Sequence, residues 1–169
     1  TIMESLAGEY VLKDGYEEPK IYLGADIVKV QNVDLTYSWA MGSKSYIKGA
    51  LDTVKRLLAE DGRAFKSKHR HDGPLPKIYK PELDTTPECD AELTSRYQQL
   101  IGILRWAVEL GRIDIQIEVA IMSSYQMSPR MGHLEALYLI FHFLDKHPCV
   151  YLVMDQYKPI IDEAYFEHD

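Results

Sequence analysis

The most informative ten residues of this chain are Gln98-Gln99-Leu100-Ile101-Gly102-Ile103-Leu104-Arg105-Trp106-Ala107. They belong to a longer segment, 91–110, in which apolar residues recur at steps of three and four. This spacing predicts an α-helix with one buried stripe, because side chains three or four positions apart share a helix face. The stripe comprises Leu93, Tyr97, Leu100, Ile101, Leu104 and Val108.

Trp106 is predicted to lie outside this stripe. At about 100° per residue it falls on the opposite, solvent side of the helix, one turn after Gly102. Glycine in mid-helix costs about 0.5–1 kcal/mol relative to alanine, and an exposed tryptophan favours contact with something else. Two interpretations stay open: this face packs on another segment of the chain, or it lines a groove that holds a ligand.

Strands and a further helix are predicted before this segment. Residues 21–30 and 35–41 are rich in strand formers and flank the polar loop 31–34, which predicts an antiparallel β-hairpin. A helix follows over 43–62, with Ser43 or Ser45 as its cap and a glycine at its end.

Two helices and a strand are predicted after the central helix. Asp114 is expected to be the N-cap of the helix that follows the central one. Ser128-Pro129 is expected to open the last helix. Residues 150–154 form a strand whose partner the sequence does not identify. Between the first helix and the central one, four prolines and a basic run predict an extended loop over 63–90 that is partly mobile and has few buried apolar anchors.

These elements predict an α+β fold, in which a small antiparallel β-hairpin or sheet precedes a mainly helical bundle. Each change of pattern along the chain suggests a boundary. The predicted units are 1–42, 43–62, 63–90, 91–148 and 149–169.

Composition narrows the classes of protein. The 169 residues carry a net charge of −7, which argues against a stand-alone nucleic-acid binder. The apolar runs are too short to cross a bilayer, and the start, Thr1-Ile2-Met3-Glu4, indicates an internal edge of a longer chain rather than a leader. Cys89 and Cys149 lie far apart without a CxxC pattern, so neither a disulfide framework nor structural zinc is expected. A cytoplasmic or nuclear, non-secreted location fits best.

No pattern in the sequence predicts a catalytic or metal site. Two-metal phosphoryl transfer needs carboxylates close enough to bridge both ions, and the chain has no Asp-Asp pair. His69 and His71 have the spacing of metal ligands, but the neighbouring lysines and arginine indicate a solvated basic loop instead. Ser123-Ser124 has no histidine and aspartate near it in a nucleophile pattern.

The central helix resembles the thumb helix of retroviral reverse transcriptases. There, a Gln-x-Leu-Val-Gly-x-Leu-x-Trp-Ala pattern lines the minor groove of the template–primer duplex. Carried over by position, the resemblance implies that Gln98, Gly102 and Trp106 follow the groove, with Arg105 beside them.

A second stretch, Tyr22-Leu23-Gly24, resembles the Tyr-Leu-Gly element that follows the catalytic hairpin of these enzymes. In that family the element forms the primer grip, which holds the primer's 3′ end, and Leu23 and Gly24 match its tip. The order of motifs is similar to that of copia-type retrotransposon reverse transcriptases over most of 10–147. The further matching motifs are Lys13-Asp14-Gly15, Tyr46-Ile47, Leu75-Pro76, Arg112-Ile113-Asp114-Ile115 and Pro129-Arg130-Met131-Gly132-His133-Leu134-Glu135-Ala136.

The resemblance implies the primer-grip end of a palm (1–42), a linking helix, a three-helix thumb (91–148) and the start of a connection segment (149–169). The expected function is to position the template–primer duplex, together with the remaining palm and ribonuclease H segments and without a membrane partner. The family's Tyr-x-Asp-Asp box is absent, so no cofactor is expected in this chain and Mg²⁺ is expected in the missing catalytic palm. Trp39 and the loop 63–90 also depart from the commoner copia pattern. The alternative is a degenerate or co-opted helical module for protein interaction, which the negative charge favours.

Overall fold

The computed structural model describes residues 8–10, 18–65 and 72–154. Over these residues it is an α+β fold, with a four-stranded antiparallel sheet and four α-helices. The strands are β1 (Ile21–Tyr22), β2 (Ala25–Gln31), β3 (Tyr37–Gly42) and β4 (Tyr151–Val153). The helices are α1 (Lys44–Glu60), α2 (Ala91–Glu109), α3 (Gln116–Ser123) and α4 (Met131–Lys146), with 3₁₀ turns at Pro81–Leu83 and Ile113–Ile115.

The sheet has strand order β1-β2-β3-β4, so strands that are neighbours in sequence are also paired. The predicted hairpin is confirmed as the β2–β3 pair, in which Lys29 lies opposite Trp39. The prediction of a single strand over 21–30 was wrong, because a two-residue turn at Leu23 and Gly24 divides this segment into β1 and β2. β4, for which the sequence predicted no partner, pairs with β3.

Helix α1 begins directly after β3, and a residue of β2 forms a hydrogen bond with its first turn. The backbone N–H of Ser45 donates to Oδ2 of Asp26 at 2.8 Å. Ser43 occupies the N-cap position, but its side chain makes no capping hydrogen bond. The expected serine cap is therefore replaced by an aspartate from β2, which satisfies one of the unpaired N–H groups of the first turn.

Helix α2 is the centre of the helical layer, as its stripe predicted. It starts after Asp90, whose side chain accepts from the N–H of Leu93 at 2.8 Å. Polar contacts also tie α2 to α1: the Tyr46 hydroxyl donates to the carbonyl of Ile103 at 2.9 Å, and Arg96 forms an ion pair with Asp61. The fully or almost fully buried residues of α2 are Tyr97, Leu100, Ile101, Leu104 and Ala107.

Both predicted starts of the later helices were wrong. Asp114 does not cap α3; its carboxylate accepts two hydrogen bonds from the fully buried guanidinium of Arg112, at 2.8 and 2.7 Å. A buried arginine needs such a partner, because an unpaired charge in the interior is costly. Helix α4 begins at Met131 with Arg130 as its N-cap, so Pro129 lies before the helix rather than at its first position.

The expectation that the loop 63–90 has few buried anchors was wrong for its described residues, 63–65 and 72–90. Pro81 is buried, and Leu75 and Tyr79 pack against the core. The backbone of this segment also bonds to the start of α4: the N–H of Met131 donates to the carbonyl of Pro87 at 2.9 Å. The basic run at 66–71 lies outside the described residues.

Asp84 joins this segment to α4. The N–H of Thr86 donates to the Asp84 carboxylate at 2.8 Å, and the Thr86 hydroxyl in turn accepts from the N–H of Gly132 at 2.8 Å. Burial tends to raise the pKa of Asp84, but the bonds from Thr86 and the nearby His133 and Arg130 lower it below its usual value. A Cβ on Gly132 would lie 2.8 Å from Cγ of Asp84 and would overlap its carboxylate.

Two glycine substitutions are expected to change stability in opposite directions. Gly132→Ala forces the Asp84 side chain away from Thr86, and we expect it to lower the free energy of unfolding by about 1–3 kcal/mol. Gly102→Ala enters open space in α2 and should raise it by about 0.5–1 kcal/mol. Urea denaturation of the two variants measures both changes. A gain for Gly132→Ala would show that Asp84 moves aside without cost.

Candidate nucleic-acid interface

The turn between β1 and β2 lies against the exposed face of α2. A Cβ built on Gly24 would be 3.8 Å from the indole Nε1 of Trp106 and 3.8 Å from Cδ1 of Leu110. The structure therefore brings together the turn and the tryptophan, which are 82 positions apart in sequence. Trp106 nevertheless keeps 45% of its surface exposed. The first interpretation of this face is confirmed for one edge of the indole, which meets another segment of the chain. The rest of the ring is accessible, and the ligand groove stays a prediction.

The turn itself is apolar, exposed and conformationally unusual. Tyr22 and Leu23 are 65% and 67% exposed, and Ile21 is exposed beside them. Leu23 has a φ of 49° and Gly24 a φ of 92°, both in the left-handed region. Glycine adopts that region freely, whereas a leucine there is uncommon. Backbone strain of this kind occurs at ligand-binding positions more often than elsewhere, so the turn is a candidate contact site.

Gly102 leaves the backbone of α2 bare one turn before Trp106. A Cβ at this position would meet no atom within 4 Å. Packing within the described part of the chain therefore gives no reason for glycine here, although alanine would suit the helix better. A partner that approaches the helix backbone closely would supply that reason.

The Arg105 side chain points toward α3 rather than toward Gly24 and Trp106. It lines a groove of about 240 Å³ between α2 and α3, together with Glu109 and Gln116. Arg96, the other arginine on this helix, is buried and forms ion pairs with Asp61 and Glu92. The only basic side chain at this exposed face of α2 is therefore Arg105, which stands at its edge.

Gln98 lies at the edge of this face, two turns before Trp106 and on the same side of the helix as Arg105. Its Nε2 donates to the backbone carbonyl of Gln126, in the turn between α3 and α4, at 3.0 Å. Of the seven predicted contact residues, the structure groups Tyr22, Leu23, Gly24 and Trp106 at one end. Gly102 follows in the middle, Gln98 lies at the other end, and Arg105 flanks them.

Sequence reasoning missed three residues that shape this surface. Leu110 packs against the turn between β1 and β2. Its position directly after the apolar stripe is the sequence feature that could have indicated this contact. Gln126 participates through a backbone carbonyl, for which side-chain identity gives no signal. His133 acts behind the surface: its ring lies 4.3 Å from that of Tyr125, centroid to centroid, in the same α3–α4 turn.

Within 8–10, 18–65 and 72–154, no group of three or more His, Cys, Asp or Glu side chains could hold a metal ion. No helix in those ranges is long and apolar enough to cross a membrane. Comparison with protein-family models, curated proteins and solved structures finds no match.

Truncation of Trp106 is expected to affect stability much less than truncation of a core residue. Because nearly half of the indole is exposed, we expect Trp106→Ala to cost about 1–2 kcal/mol. Leu104→Ala, at a fully buried position of the stripe, should cost about 2–5 kcal/mol. Chemical denaturation compares them directly. Equal losses would place Trp106 in the core and remove the basis for a binding face.

Proposed function

We propose that this chain positions the template–primer duplex in a copia-type reverse transcriptase, as the primer-grip end of the palm followed by the thumb. The observation that carries the proposal is the meeting of the Leu23-Gly24 turn with Trp106, on the helix face that Gly102 leaves open. These are the two elements for which the sequence resembles that family. Their proximity gives one continuous surface rather than two unrelated motifs.

The chemistry of the surface suits a minor groove. The minor groove of an RNA-containing duplex is wide and shallow and exposes sugars and base edges. A flat indole and a bare stretch of helix can lie against such a surface at close range. Contacts of this kind depend little on base sequence, which a polymerase requires because it moves along any template.

In this proposal, the catalytic aspartates and their Mg²⁺ belong to the remaining palm, and a ribonuclease H segment completes the enzyme. The chain then works in the cytoplasm or nucleus. Its contribution is orientation of the reacting ends, which supplies catalysis by proximity rather than by a reactive side chain. The net charge of −7 means that most of the attraction for phosphates must come from those other parts.

A second candidate function is a helical module for protein interaction. The observation that favours it is a row of exposed isoleucines, Ile113, Ile117 and Ile121, at four-residue spacing along the 3₁₀ turn and α3. Exposed apolar surface of this kind is typical of protein contacts. This row lies on α3, on a different helix from Trp106, so the two functions can be separated by mutation.

The proposal is tested by measuring template–primer affinity with fluorescence anisotropy at low salt. The protein used is a polymerase that contains this chain together with its catalytic palm. Trp106→Ala and Gly102→Val should each weaken binding by about fivefold to tenfold, equivalent to about 1–1.4 kcal/mol. The first variant removes the flat contact and the second blocks close approach. Processivity should fall in parallel.

Ile117→Ala serves as the matched control, because it removes exposed apolar surface without changing charge. It should leave affinity unchanged. Unchanged affinity in both Trp106→Ala and Gly102→Val would contradict the duplex role of this face. Binding by the isolated chain should be weak and should fall only gradually with salt, because the salt dependence grows with the number of phosphates neutralised and the chain is acidic.

The isolated chain is expected to show no nucleotide incorporation on a primed template with Mg²⁺ or Mn²⁺. The reason is that it contributes positioning and not the carboxylates that hold two metal ions. The assay uses the purified chain beside a heat-inactivated sample of the same preparation. Incorporation that follows the chain through purification would contradict the proposed division of labour.

A further inference from the structure

The first turn of α1 connects the sheet to α2. On one side, the backbone N–H of Ser45 donates to the carboxylate of Asp26, in β2, at 2.8 Å. On the other side, the hydroxyl of the next residue, Tyr46, donates to the backbone carbonyl of Ile103, in α2, at 2.9 Å. Two consecutive residues of one helix therefore join β2 to α2 by hydrogen bonds.

Both bonds lie close to the contact between the β1–β2 turn and Trp106. Asp26 is two positions after Gly24, and Ile103 is three positions before Trp106, which is about 4.5 Å along the helix axis. A Cβ on Gly24 would be 3.8 Å from the indole Nε1 of Trp106. The contacts thus form a closed path, which runs from Gly24 through Asp26, the start of α1 and Ile103 to Trp106.

The bond from Tyr46 fixes a position rather than satisfying an unpaired group. In an α-helix, the carbonyl of residue 103 accepts from the N–H of residue 107, and its second lone pair is free to accept again. Burial raises the pKa of Tyr46, so its hydroxyl keeps its proton and stays a donor. The bond from Ser45 to Asp26 fixes the other end of the path, because a hydrogen bond sets both a distance and a direction.

We propose that Asp26 and Tyr46 are positioning residues, which hold the β1–β2 turn in one place against the Trp106 face of α2 and so align the primer end with the catalytic palm. This inference rests on the proposed function. Without the two bonds, the turn meets α2 mainly through apolar contact with Trp106 and Leu110. Apolar attraction is non-directional, so the turn could then shift along α2 while the duplex-binding surface persists. Affinity and alignment are therefore separable, and alignment is what depends on α1.

The closed path is tested first in the 169-residue chain. Its two tryptophans give two indole N–H signals in ¹H–¹⁵N spectra, and Trp106→Ala assigns them. Tyr46→Phe removes one hydroxyl, and the Trp106 signal should shift and exchange faster with solvent, because the turn no longer stays against that edge of the indole. Asp26→Ala should give the same change. Asp26→Asn keeps an acceptor for the Ser45 N–H and should retain the native signal.

Tyr97→Phe is the matched control. It also removes a hydroxyl that bonds α2 to a neighbouring helix, in this case to the carbonyl of Met122 at 2.7 Å. Tyr97 is fully buried, so its loss should lower thermal stability at least as much as Tyr46→Phe does. Its bond lies outside the closed path, and the Trp106 signal should stay native. An equal shift of that signal in Tyr97→Phe and Tyr46→Phe would overturn the positioning role, since general loosening would explain both.

The effect on alignment is measured in the polymerase that contains this chain and its catalytic palm. Tyr46→Phe should lower kcat for nucleotide incorporation by about threefold to tenfold, because a displaced primer end loses proximity to the reacting centre. The Kd for template–primer should not change. Tyr46→Phe combined with Asp26→Ala should be no slower than the slower single variant, because either change opens the same path. Losses in kcat that multiply in the double variant would count against a shared path and overturn the proposal.

The remaining outcomes separate this inference from the proposed function. If Trp106→Ala and Gly102→Val weaken template–primer binding while Tyr46→Phe changes neither the indole signal nor kcat, the positioning role is wrong and the duplex role stands. If Trp106→Ala and Gly102→Val leave affinity unchanged, the proposed function fails. The alignment role then fails with it, whatever the indole signal shows.

Discussion

Helix α2 contributes an unbroken buried stripe to the core, and α1, α3 and α4 all pack against it. Tyr97, Leu100 and Leu104 are fully buried, which fixes the rotation of the helix about its axis. Once that rotation is fixed, the positions half a turn away must face outward. The exposure of Gly102 and Trp106 is thus a consequence of core packing rather than of any local preference. The sheet adds a second constraint where α2 ends, because a Cβ on Gly111 would lie 3.7 Å from Cβ of Leu152 and 3.8 Å from Cε of Met41.

Sequence reasoning succeeded where the signal is periodic and local. The central helix, expected over 91–110, spans Ala91–Glu109, because an apolar repeat of three and four residues reports both the helix and its buried face. The turn that splits the strand at Leu23 was missed. Two-residue hairpin turns with positive φ at both positions normally carry asparagine, aspartate or glycine at the first position, and leucine there gives no such signal.

The remaining features depend on contacts between distant residues, which leave no pattern in a single sequence. Asp26 stabilises the start of α1 from another element, and Arg112 takes Asp114 out of the capping role that its position suggested. The segment 72–90 looked like a loop because its prolines exclude regular structure, yet prolines can be buried. Its anchors are the side chains of Leu75, Tyr79 and Pro81 and backbone groups that bond to the start of α4. The candidate site was predictable as two motifs, while their contact was not.

The charge distribution bears on how an acidic chain can lie beside a polyanion. From Ser95 to Trp106, the exposed positions of α2 carry one charged side chain, Arg105, although 27% of the chain is charged. A helix face that only met water would be free to carry acidic residues, and this protein has 26 of them. At physiological ionic strength, repulsion between exposed charges is largely screened beyond about 8 Å. An uncharged strip therefore removes the short-range repulsion from a polyanion. In the proposed function, basic segments of a larger enzyme would have to overcome only the weaker long-range repulsion that remains.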